Sequence, residues 1–67
     1  MNIDLRQAVK NNLKDSSNQD IFQTINDATS STEDKVLPGL GVLFEIMWKH
    51  SNENTKNELV RTLIANL

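Results

Sequence analysis

The segment Leu-Pro-Gly-Leu-Gly-Val-Leu-Phe-Glu-Ile-Met-Trp-Lys, residues 37–49, constrains the fold more than any other stretch. Read as a helix from Leu40 to His50, it turns about 100° per residue. Leu40, Val42, Leu43, Phe44, Ile46, Met47 and Trp48 then cover well over half of its circumference, and Gly41, Glu45 and Lys49 share the rest. A helix that is apolar nearly all round is a buried helix, so the remainder of the chain has to supply its cover. Pro38 followed by Gly39 reads either as a tight turn or as a proline in a first helical turn.

That cover has to come from three further stripes of helical period. From Asp4 to Lys14, Leu5, Ala8, Val9 and Leu13 share one face, and Asp4 with Gln7 has the spacing of a capping box. Asp15-Ser16-Ser17-Asn18 breaks this pattern, because short polar side chains compete for backbone hydrogen bonds. A second helix is expected from Asn18 to Thr29, capped by Ser17 or Ser16, with Ile21, Phe22, Ile25 and Ala28 as its stripe. Thr32 to Lys35 has room for one short turn. After a polar break over residues 51–56, Thr55 and Glu58 suggest another capping box. Leu59, Val60, Leu63, Ile64 and Leu67 then repeat at helical spacing. Breaks this short fold successive helices back on one another. The expected fold is all-α: a compact three- or four-helix bundle with a central apolar helix, forming one domain over residues 1–67.

With 67 residues, such a domain buries only about 60% of the surface its unfolded chain exposes. Its stability margin is therefore a few kcal/mol, on the order of that of other small domains. Cysteine is absent, so no disulfide props up the core, which fits a reducing compartment. Net charge −2 with 37% hydrophobic and 24% charged residues suits a globular domain rather than a disordered tail or a polybasic nucleic-acid binder. No secretory leader is visible, and the apolar stretch falls short of the roughly 20 residues a membrane span needs. The protein is expected to be intracellular, with no membrane partner.

Few residues offer chemistry. His50 is the sole histidine. A catalytic role would require a nucleophile and an orienting carboxylate, yet its neighbour Ser51 points elsewhere on a helix. A cation at a helix C-terminus is the simpler reading. Metal binding lacks its ligand clusters, with no cysteine, one histidine and scattered acids. Gly39 and Gly41 lack the third glycine of a dinucleotide fingerprint, since Phe44 stands there. Packing accounts for them better, through a close backbone approach or a dihedral that other residues avoid. No catalytic residue, cofactor or metal is therefore expected. Trp48 and Met47 are either core or a binding patch, and core is the ordinary fate of such side chains.

Arg6, Lys10 and Lys14 form a basic stripe on the first helix and are the candidate phosphate contacts. Three such contacts would give a log-log salt slope of about −2.7, far shallower than that of a duplex binder making many contacts. A solvated helix face is the ordinary reading of such a stripe, so specific nucleic-acid binding is not expected.

The segment over residues 37–49, with Leu37, Pro38, Gly39, Gly41, Phe44 and Trp48 as its motif, resembles the signature of the small acid-soluble spore protein I family of Bacillus-type spore formers. Asn2 to Val9 resembles the family's opening. Ile25-Asn26-Asp27-Ala28, with Glu33 and Lys35, resembles its middle. The resemblance implies a minor protein made in the forespore and carried in the spore core, and it implies no catalytic residues. The abundant spore proteins that coat DNA form a separate family with glycine-rich repeated segments that this sequence lacks. The expected function is that of a non-enzymatic structural or interaction protein of the spore core, with a protein partner of unknown identity. The alternative is a weak nucleic-acid-associated protein using Arg6, Lys10 and Lys14. Oligomeric state is not legible in the sequence.

Overall fold

A computed structural model describes residues 4–67. Asn2 and Ile3, in the segment that resembles the family's opening, lie outside the described residues. The described chain is all-α: α1 (Leu5–Leu13), α2 (Asn18–Ser30), a 3₁₀ turn (Asp34–Val36), α3 (Leu37–Lys49) and α4 (Glu53–Ala65).

Each start has an identifiable cause. Asp4 caps α1 by accepting from the Gln7 backbone N–H at 3.2 Å. The expected box is only half made, because the Gln7 side chain donates forward to Asn11 instead. Ser17 caps α2 in a complete box, with its hydroxyl accepting from the Asp20 N–H and the Asp20 carboxylate accepting from the Ser17 N–H. α4 is not started by Thr55 and Glu58. Asn52 caps it, accepting from the Thr55 N–H at 2.8 Å, so the helix begins at Glu53. Asparagine is among the best N-caps, and the earlier start adds most of a turn.

The Pro-Gly pair is no turn. α3 begins at Leu37, directly after the 3₁₀ turn, and Pro38 sits in its first turn, where a missing N–H costs nothing. Both glycines are helical with ordinary negative φ. A Cβ placed on either meets nothing within 4 Å, so neither a close approach nor an unusual dihedral explains them.

α3 is central, as its apolar wheel requires. It packs most extensively on α1, and also on α2 and the 3₁₀ turn. Val42, on the side facing α1, is 8% exposed and is the one buried apolar residue among those described. The expectation of an all-round buried helix holds on that side only. Leu37 and Phe44 are exposed because nothing packs broadly over their side, and Met47 is exposed at the edge of a groove it lines with Val9, Leu13 and Ile25. α4 has no extensive packing against any other element. Its tie to α3 is Lys56, whose ammonium lies 5.5 Å from the centre of the Trp48 ring.

Candidate functional site

Two surfaces carry the residues singled out by the sequence. The first is the basic stripe of α1. Its i, i+4 spacing aligns Arg6, Lys10 and Lys14 along one side of the helix, but the three do not act together. Arg6 turns to α3 and donates to both carboxylate oxygens of Glu45, from Nε at 2.7 Å and from Nη2 at 2.9 Å. This fork-to-carboxylate geometry is the strong form of an ion pair. The hydrogen bond from Arg6 holds the Glu45 carboxyl below its ordinary range, against a smaller opposing effect of burial. The same bond raises Arg6 further. Lys49, one turn on, adds a second cation 3.8 Å from Glu45. Among the described residues, Lys10 and Lys14 form no ion pair and flank an apolar groove whose floor includes Leu13, Ile25 and Ile46. The stripe therefore divides into one committed charge and two solvated ones.

The second is made of the apolar residues left uncovered on α3 and on α4. Leu37, Phe44 and Trp48 recur at spacings of seven and four, which places them on one side of α3. Phe44 and Trp48 stack with ring centres 5.6 Å apart, a favourable aromatic geometry. Trp48 is half-buried and Met47 is exposed, so the pair is neither wholly core nor a wholly free patch. Beyond Lys56, the stripe of α4 is increasingly uncovered, from 39% exposed at Leu59 to 58% at Leu63 and 66% at Ile64. The periodicity that marked these residues as core is identical to that of a docking face, which is why sequence reasoning did not separate the two. Glu45 was also missed as the partner of Arg6. Its signal was its isolation as the one acidic residue between Leu37 and Lys49.

His50 ends α3, its backbone N–H donating to the Ile46 carbonyl while the Ser51 N–H donates to the Trp48 carbonyl. The Ser51 hydroxyl donates to the Met47 carbonyl, so it is engaged in closing the helix rather than directed at His50. Among the described residues, no cluster of three or more histidine or acidic side chains is placed to hold a metal. In the same residues, no helix is long and apolar enough to cross a membrane.

The comparisons with known proteins agree on one family. The family described as "Small, acid-soluble spore protein I" matches residues 3–67. A protein of that name from Bacillus subtilis (strain 168) is 46% identical over 67 residues, covering 100% of this chain and 94% of the relative. One from Halalkalibacterium halodurans is 48% identical over 67 residues, covering 100% of this chain and 98% of the relative. A third, from Shouchella clausii, is 52% identical over 59 residues, covering 88% of this chain and 86% of the relative. No solved structure matches the chain. With the family matched over nearly all of its length and relatives aligned end to end, this chain belongs to the small, acid-soluble spore protein I family.

Proposed function

We propose that this protein is a non-enzymatic interaction protein of the spore core, made in the forespore, and that it works through the open face of α3 and α4. The carrying observation is the exposed apolar stripe on successive turns of α4, Leu59, Val60, Leu63 and Ile64, with Leu37 and Phe44 also left exposed on α3. Scattered single apolar residues on a surface need no explanation, but a contiguous group of them marks an interaction site. The relatives' printed name supports the spore setting.

The test is a photo-crosslinking residue placed at Leu63 and, as control, at Asn11 on exposed α1, in protein produced in sporulating cells. The reading expects protein adducts from position 63 and none from position 11 in purified spores. Equal labelling from both positions, or none from either, removes the role assigned to this face.

A further inference from the structure

We propose that the groove between α1, α2 and α3 binds a single-chain amphiphile with an anionic head, a fatty-acid carboxylate. The tail lies along the groove and the carboxylate is held by Lys10 and Lys14. This site is separate from the apolar stripe of α4 and does not depend on the role assigned to that stripe.

The groove follows from how the helices meet. Each of the three gives it two apolar side chains one turn apart: Val9 and Leu13 from α1, Ile21 and Ile25 from α2, Leu43 and Met47 from α3. None of the six is buried. α2 packs on α3 less extensively than α1 does, and a volume of about 370 Å³ opens between the helices. It continues past Val9, Leu13 and Leu43 into a second hollow of about 200 Å³ that Ala28 and Leu40 also line. Small-molecule sites start at about 300 Å³ and are mostly apolar with a few polar groups that fix orientation. An apolar track of this size suits one hydrocarbon chain.

Charge selects the head. Lys10 and Lys14 are the only charged residues lining the groove. Both are exposed, and among the described residues neither forms an ion pair. Glu45, the one acid of α3, is already engaged by Arg6 and Lys49. A lysine lays its alkyl stem on apolar surface and keeps its ammonium in water, which sets the two cations at the rim of the groove. They stand one turn apart, about 6 Å along the helix, within reach of a single carboxylate. Two uncommitted cations beside an apolar track, with no acid among its lining residues, complement an anionic amphiphile and repel a cationic one.

Methyl NMR of the full chain, titrated below the micelle concentrations with decanoate and with decyltrimethylammonium, tests this. Decanoate is expected to bind saturably, one molecule per chain, shifting the Leu13, Ile21 and Ile25 methyls and leaving Ile64 on α4 unmoved. Octanoate should bind up to about 15-fold more weakly, because two fewer methylenes are buried. The cationic amphiphile, with a tail of similar length, should bind on the order of 10-fold more weakly than decanoate, exposed charge contacts being individually weak. A Lys10→Gln, Lys14→Gln variant should lose a similar factor for decanoate and with it the preference for the anion. Both lysines are exposed, so the variant should keep the parent's helical circular dichroism. Absence of saturable decanoate binding overturns the inference. So do equal affinities for the two amphiphiles, a variant that binds decanoate as tightly as the parent, or shifts confined to Leu63 and Ile64.

Discussion

At the scale of single residues, the two helical glycines and Glu45 lead to opposite expectations. Gly41 is exposed, helical and free of any neighbour that a Cβ would meet. Its replacement by alanine should therefore stabilise the protein by up to about 1 kcal/mol, read from the denaturant midpoint. Even Gly41→Leu should fold normally. Sequence reasoning found both glycines but gave them a packing role. Glycine's permissiveness is a capability, and only the backbone shows whether it is used. Glu45 carries the pH dependence. Its carboxyl is held below its ordinary value of 4.5, chiefly by the hydrogen bond from Arg6. The folded pKa therefore lies below the unfolded one, and the stability it contributes is fully present above about pH 4.5. That contribution is lost as pH falls through the lower folded value. Arg6 is raised further above its already strongly basic range and titrates nothing between those pH values. Glu45→Gln should lower the thermal midpoint at neutral pH and make its decline between about pH 5 and pH 3 shallower than the parent's.

For the helices, the sequence was legible where periodicity and caps agree. α2 begins at Asn18 because Ser17 and Asp20 satisfy one another's backbone donors, and Ser17 is one of the two caps the sequence suggests. α3 and α4 each begin three or more residues earlier than their apolar stripes suggest. Proline tolerates a first turn, and Asn52 competes with Thr55 for the same role. The stripe marks where a helix is buried, and the cap marks where it starts. Asn52→Ala should destabilise by about 1 kcal/mol and reduce helicity, whereas Glu58→Ala should have little effect. Chemical denaturation followed by circular dichroism distinguishes the two.

For the molecule as a whole, the bundle and its central helix were legible, because an apolar wheel admits few other fates. Which parts of that wheel stay uncovered was not, since coverage depends on how three other helices lean. The pairing of Arg6 with Glu45 changes what the basic stripe offers nucleic acid, leaving Lys10 and Lys14. Two phosphate contacts give a salt slope of about −1.8, or roughly a 12-fold loss of affinity between 50 and 200 mM salt. Duplex binding, followed by anisotropy across a salt titration, should be absent at about 150 mM salt. An Arg6→Ala, Lys10→Ala, Lys14→Ala variant should then be indistinguishable from the parent.

The same ion pair also bears on the order in which the molecule assembles. It joins residues 39 positions apart, while α3 meets the 3₁₀ turn that immediately precedes it in sequence. Closing so long a loop is entropically slow to be rewarded, so the pair is expected to tighten only after the folding barrier. It acts as a latch on escape: in stopped-flow measurements, Glu45→Gln should quicken unfolding and leave the refolding rate nearly unchanged.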